Sequence, residues 1–424
     1  MDNDFILSRV CSNLPLSQWL VFEAVSPTWA TILSRSWRTV KSLSICNNFF
    51  DSYENYPTRI DEKKEIEICM VLKRCGPYLN RLHLAPVNVR KPFFRNVRRF
   101  TARHEVSERV LSAICQYCKK LKALDLSYHI FPTWSVFELL AEISPDIQIL
   151  LLEICRLDEN LPSENGMTEL MDTIFDRLTN LKVFSLWGSC YGYWTVTERS
   201  FRRAPAALEY LDISQGFTAK ITAFDTWIPN LVALKHLHLE RTSITDTDLQ
   251  VLIQTCQFTL RGLTLAYAKS VTDFSLIASF SKLKYLRLDG NRDLFRDQAL
   301  ESICQSCTDL RLLSLENCNS LTVPGIRNIS SLRNLRHLSL CSILSMNDEC
   351  LTQICKHCCR LRSLQLKYCK KLTLCGLVHL PDLVKLKHLG VSGLAAFDQP
   401  LAECLRLRCG KLSTIEAFNC VNYR

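Results

Sequence analysis

Leu310-Arg-Leu-Leu313-Ser-Leu315-Glu-Asn-Cys318-Asn-Ser-Leu321-Thr322 reads as one unit: a Leu-x-x-Leu-x-Leu segment, a turn, then a second apolar run. Segments of the same shape begin at Leu208, Leu234, Leu260, Leu283, Leu310, Leu335, Leu361, Leu386 and Leu412, in steps of 23 to 27 residues. Looser copies begin at Leu79, Leu121, Ile147 and Leu181, and Val40-Lys-Ser-Leu43-Ser-Ile45 has the shape once more, set apart from the rest. A fixed period in this range signals a repeat architecture and outranks a domain count taken from length. In each segment the fourth and sixth residues, such as Leu313 and Leu315, point the same way, because side chains alternate along a strand.

The second half of each repeat has a helical period. Leu249, Leu252, Ile253 and Cys256 fall at offsets 0, 3, 4 and 7, as do Leu300, Ile303, Cys304 and Cys307, and Leu351, Ile354, Cys355 and Cys358. Leu111, Ile114, Cys115, Cys118 and Ile68, Val71, Leu72, Cys75 repeat the pattern. Each set is one apolar stripe on a helix. Thr245-Asp246 and Asn347-Asp348 stand where they can cap a first turn. One strand and one helix cannot bury their apolar faces alone, but stacked copies share a continuous core. Period and motif resemble leucine-rich repeats of the cysteine-containing subtype over roughly residues 66–420. That resemblance implies an α/β solenoid, a horseshoe with parallel strands on its concave face and helices on its convex face.

Composition is globular, with 47% hydrophobic and 22% charged residues. The most apolar stretch, Phe137 to Leu157, carries Glu138, Glu142, Asp146, Glu153 and Arg156, which excludes a membrane span there. The acidic start Met1-Asp2-Asn3-Asp4 lacks a signal peptide's basic and apolar regions, so the expected location is cytoplasmic or nuclear. Of the 22 cysteines, three pairs are spaced Cys-x-x-Cys: Cys115/Cys118, Cys304/Cys307 and Cys355/Cys358. Spacing alone would allow half a zinc site. However, each pair sits at the same place in a repeat, at offsets 4 and 7 of the apolar stripe, where cysteine acts as a small buried hydrophobe. The expectation is core thiols, with no metal or other cofactor. Net charge is +10, and basic residues recur at the second motif position: Lys122, Lys182, Lys235, Arg261, Lys284, Arg311, Arg336, Arg362 and Lys387. The simple reading is a solvated rim whose long stems cover the core edge; nucleic acid is the weaker one.

Residues 1–45 stand outside the repeat. Phe5, Ile6, Val10 and Leu14 form one helical stripe, Leu20 and Val25 follow after Pro15-Leu16-Ser17, and Ser26-Pro27 opens a third helix through Trp29, Ile32 and Leu33. Three short helices are too few for a core of their own and need a partner or the adjoining solenoid. The pattern Ile6-Leu7-x-x-Val10-x-x-x-Leu14-Pro-Leu-x-x-Trp19-Leu20-x-x-Glu23-x-Val25-Ser26-x-x-Trp29 resembles an F-box. Together with the repeats behind it, it is similar to the F-box/leucine-rich-repeat substrate receptors of SCF ubiquitin ligases. The resemblance implies a helical domain over residues 1–45 leading into the first strand, with a repeat domain over 46–424. It also implies that Ile6, Leu7, Val10, Leu14, Leu20, Val25 and Trp29 bind the adaptor subunit beside the cullin. Residues 46–65 read as an irregular loop. Two insertions interrupt the repeats: 86–104, with a basic and aromatic run over 90–103, and 188–203, with Tyr191, Tyr193 and Trp194.

No phosphate loop, nucleophile elbow or metalloprotease helix motif occurs, so no catalytic site is expected; the resemblance implies a non-catalytic receptor with a protein substrate, and no membrane contact is expected. His236 and His238 share a sheet face, but His337 lies four strands on, nearly 20 Å at ~4.8 Å per strand, too far for a shared metal. These read as ordinary surface histidines. The fifth, seventh and eighth motif positions are expected to be exposed on the concave face. The candidate substrate-binding residues there are Trp187, His238, Glu240, Arg241, Tyr267, Arg287, Asp289, Glu316, Lys367 and Tyr368, with Asp212 beside them. Aromatic and arginine residues are the usual anchors of protein interfaces.

Overall fold

A computed structural model describes residues 10, 14–50, 59–84, 104–105, 107–131, 142, 145–157, 166–188, 201–214 and 224–420. Ile6, Leu7, the basic run 90–103, and Tyr191, Tyr193 and Trp194 lie outside the described residues. The chain divides into two compact units, Met1–Lys220 and Ile221–Arg424. Each is an α/β solenoid with the repeat register read from the sequence.

In the first unit the strands Ser42–Ser44, Arg81–His83, Ala123–Asp125, Ile149–Leu151, Val183–Ser185 and Tyr210–Asp212 pair in that order, all parallel. Leu43 stands opposite Leu82, so the segment set apart at Val40 is the first layer of the stack. His104–Glu105, His129–Phe131 and Arg156–Leu157 add a second, shorter parallel ladder. Residues 46–65 are not wholly irregular: Ile45–Phe49 is a short helix, and the helix Glu62–Cys75 begins at the Asp61 cap, whose carboxylate accepts the Lys64 N–H at 2.9 Å.

The N-terminal helices Leu16–Val25 and Pro27–Trp37 pack on this unit through one face. Ser26 Oγ accepts the Trp29 N–H at 3.3 Å and Pro27 opens the helix, as the sequence predicts. Leu16, Trp19, Ile32, Leu33 and Trp37 are buried, the two indole rings 4.8 Å apart. Arg74 pairs with Glu23 at 3.0 Å and ties the first of these helices to Glu62–Cys75.

The second unit is the more regular. Its strands His236–His238, Gly262–Thr264, Tyr285–Arg287, Leu312–Ser314, His337–Ser339, Ser363–Gln365, His388–Gly390 and Thr414–Glu416 pair in order. Leu237, Leu263, Leu286, Leu313, Leu338, Leu364 and Leu389 stack in register and are all buried. On the other face run the helices Asp246–Cys256, Asp297–Ser306, Asp348–His357 and Gln399–Arg408, alternating with shorter helical turns such as Phe274–Ser279 and Leu374–Leu377.

Three devices bind layer to layer. The first is thiol donation. Cys256, Cys307 and Cys409 donate S–H to the carbonyls of Leu231, Phe280 and Leu383, and Cys318, Cys369 and Cys420 to those of Leu288, Leu340 and Val391, at 3.0–3.5 Å. Cysteine is thus a small apolar group that also satisfies a buried acceptor. The second is a carboxylate staple: Asp246, Asp297 and Asp348 accept the backbone N–H and the hydroxyl of Thr272, Thr322 and Thr373 in the next repeat. The third is a left-handed residue at the eighth motif position. In the first unit it is Tyr128, Ile154 or Gly188; in the second it is Arg241, Tyr267, Gly290, Asn317, Ser342, Tyr368, Gly393 or Asn419. In all of these but Asn419, in the last repeat, its N–H donates to the following repeat, as from Tyr267 to Asp289 O at 2.8 Å and from Gly290 to Glu316 O at 2.7 Å. Non-glycine residues are costly in this conformation, so a ladder bond past each strand end offsets a strain that most of these positions carry.

Candidate functional site

The fifth and seventh positions of neighbouring repeats face one another across a single strand spacing, and they satisfy each other. Ser314 Oγ donates to Asp289 Oδ1 at 2.6 Å, Ser339 Oγ to Glu316 Oε1 at 2.6 Å and, in the first unit, Ser185 Oγ to Glu153 Oε1 at 2.8 Å. Asp289 Oδ1 also accepts the Glu316 N–H at 2.9 Å. On its other oxygen Asp289 takes Arg287, at 2.9 Å from Nη2 and 3.2 Å from Nε. Arg241 lies 4.7 Å from the centre of the Tyr267 ring and 3.9 Å from Glu240. The result is a mixed-charge strip over consecutive repeats, with Glu240, Arg241, Tyr267, Arg287, Asp289 and Glu316 gathered together. Farther along, Lys367 pairs with Glu416, and Tyr368 is exposed with its ring over Gly393.

Burial shapes the electrostatics of this strip. It drives the Glu316 carboxyl above the ordinary range, and the Asp289 charge pushes the same way, while the Ser339 hydroxyl, Arg287 and Lys367 pull back. Burial also opposes the charge of Arg287, but Asp289, Glu240 and Glu316 outweigh it and hold the guanidinium above its usual value. The thiols nearby offer no nucleophile: burial pushes Cys318 and Cys341 up to about 12. What the strip provides is directional hydrogen bonding and paired charge, suited to recognition.

Several sequence-chosen residues lie elsewhere than expected. Trp187 is only 5% exposed, in a buried cluster with Tyr128 and Ile154. His238, Asp212 and Asp289 are also buried. His238 Nδ1 is 2.9 Å from Thr264 Oγ1, which makes it a packed histidine on the sheet rather than a surface one. The expectation of exposure fails because strands one spacing apart pack the alternate side chains of one face against each other. Ser314 and Ser339 were missed, although an acidic seventh residue followed by a serine at the fifth position of the next repeat signals them; Glu416, paired with Lys367 two repeats earlier, carries no such signal.

At the N-terminus, Val10 and Val25 are exposed, while Leu14, Leu20 and Trp29 are half-buried. Trp29 packs against Phe22, the ring centres 5.1 Å apart and the planes tilted by 39°. Val21, unmarked in the sequence reading, is 63% exposed beside Val25 at 67%, one helical turn apart. An apolar ridge therefore remains on the outside of this helix. Among the described residues no group of three or more His, Cys, Asp or Glu is placed to hold a metal ion, and no helix is long and apolar enough to cross a membrane.

No family model matches the chain. Among curated proteins it is similar to a putative RNA-binding protein of Caenorhabditis elegans, 27% identical over 404 residues. That alignment covers 92% of this chain and 49% of the relative, so the chain spans about half the length of the protein it matches. Among solved structures it is similar to an internalin of Listeria monocytogenes, at 15% identity and a TM-score of 0.43 over 71% of this chain and 81% of that one. It is also similar to the Rad7 and Elc1 complex of yeast, at 18% identity and a TM-score of 0.47 over 94% and 91%. The fold is a solenoid of leucine-rich strand-and-helix repeats, and the strip lines up paired charges and hydrogen bonds over its consecutive strands.

Proposed function

We propose that this chain is the substrate-recognition subunit of an SCF-type ubiquitin ligase. Its N-terminal helices dock on the adaptor subunit beside the cullin, and its repeats hold a protein substrate. The chain performs no chemistry itself; proximity to the charged conjugating enzyme raises the effective concentration of the substrate. The observation that carries this reading is the outward ridge Val21–Val25 on a helix whose opposite face, Leu16 and Trp19, is already buried. Val21 and Val25, one turn apart, leave an apolar edge open to a partner, and they fall within the segment that resembles an F-box.

Affinity capture with the adaptor and cullin tests the reading. Val21→Asp with Val25→Asp should abolish recovery while shifting the thermal midpoint little, because exposed substitutions stay within about 0.5 kcal/mol. If the folded chain recovers neither subunit, the ligase role is lost. What then stands is the second reading, a repeat platform that binds a partner and recruits no ligase, for which the mixed-charge strip is the supporting feature.

A further inference from the structure

The basic ladder of the second unit goes beyond a solvated rim. The N–H groups of Lys284, Arg311, Arg336, Arg362 and Lys387 each donate to the carbonyl of the ladder residue one repeat earlier, beginning at Arg261, at 2.7–2.8 Å. Six cationic side chains therefore start from one continuous row, about 24 Å along the sheet at ~4.8 Å per strand. None of the six has a carboxylate at ion-pair distance among the described residues. The segments leading into these strands add Lys282, Arg333, Arg360, Lys385 and Lys411 against one acid, Asp309. The field is felt locally: His337, on the strand that follows Arg336, has its pKa lowered to about 4, by burial first and then by Arg362, His388 and Arg336. At the head of the line Phe258, three residues before Arg261, is 75% exposed.

We propose that this edge of the second unit binds single-stranded RNA, its phosphates along Arg261, Lys284, Arg311, Arg336, Arg362 and Lys387 and a base against Phe258. A track of unpaired cations ending in an open aromatic face is the arrangement that holds a single strand without reading its sequence. A duplex presents two phosphate rows, and one row of cations answers one strand. A folded protein partner would call for a buried apolar centre depleted of lysine, the opposite of this edge. The site is independent of the ligase reading and uses none of the N-terminal helices.

The test is fluorescence anisotropy of a labelled oligouridylate of about ten nucleotides against the full chain over a range of salt. Each phosphate contact contributes about −0.7 to the slope of log affinity against log salt. The triple variant Arg311→Gln, Arg336→Gln, Arg362→Gln should flatten the slope by about 2 and lower affinity at least about tenfold. The corresponding triple lysine variant should keep the slope, separating lost charge from lost packing of the stems. Phe258→Ala should weaken binding about tenfold without changing the slope. Equal binding of polyglutamate points to an acidic protein and overturns the proposal. So does a slope unchanged in the triple glutamine variant, or loss of binding confined to Arg98→Gln with Arg99→Gln.

Discussion

Replacing Arg287 with alanine should expose how the strip balances its charge. The Arg287 side chain is 14% exposed and that of Asp289 6%, so the pair is nearly out of water. Removing the cation leaves Asp289 and Glu316 facing each other with Ser314 and Ser339 as their remaining side-chain donors. Breaking a buried pair on one side costs about 3–5 kcal/mol, and partial access of water here favours the lower end. The cost should depend on pH. Arg287 is one of the groups that restrain Glu316, whose folded pKa already lies above the ordinary range through burial and Asp289. An acid with a raised folded pKa binds more protons folded than unfolded, so stability falls as pH rises between its unfolded and folded values. Without Arg287 that interval widens. Urea denaturation near pH 5 and near pH 8 should show the larger loss at the higher pH. The gap should be about 1.4 kcal/mol for each further unit of Glu316 shift. Adding Glu316→Gln should flatten the pH dependence and recover part of the stability. An equal cost at both pH values would refute the coupling of Arg287 to Glu316.

Burial pushes Cys304, Cys355 and Cys358 up to about 12, so iodoacetamide near neutral pH should spare them and modify the exposed Cys359, Cys375 and Cys404 first, as read by peptide mass spectrometry. Gly393→Ala should cost about 1–2 kcal/mol for its left-handed φ of 76° and more for a Cβ placed 2.5 Å from Tyr368 Cδ1. Adding Tyr368→Ala should return only the steric part of that loss in a denaturant titration. The Asp246 carboxyl is raised by burial, but the Thr272 hydroxyl and the N–H groups of Asp273 and Thr272 outweigh this and hold it below its usual value. A depressed folded pKa stabilises above the unfolded value and is lost as pH falls through the folded one. Asp246→Ala should therefore remove part of the stability near neutral pH and flatten the acid limb of the stability curve.

The stacking of layers was legible because it rests on leucine spacing, and Leu313 opposite Leu338 follows from it directly. The helical stripes were legible for the same reason, and the Thr245 and Asn347 caps formed as their residue types suggest. The left-handed turn was harder to see. Glycine holds it at Gly290 and Gly393, but Tyr267, Ser342 and Ile154 hold it elsewhere, and hydrogen bonds to the next layer make those choices tolerable. The site was legible in composition and not in exposure. Choosing Arg287 and Glu316 needed only their motif position. Knowing that Asp289 and Trp187 are buried needed the neighbouring strand's side chains. The N-terminal ridge was half legible: Val25 belongs to the quoted pattern, while Val21 stands out only once Trp19 is seen turned inward.

The steps between strands in the second unit are unequal, yet Gly262 faces Tyr285 and Tyr285 faces Leu312 with no slip, although 23 residues separate the first pair and 27 the second. The short step is closed by the 3₁₀ turn Phe274–Ser279 and the long one by the full helix Asp297–Ser306. Length is free to vary on the helical side alone. A turn added or removed there leaves the strand register opposite untouched, so the girth of the helical side and the order of side chains along the sheet are set independently.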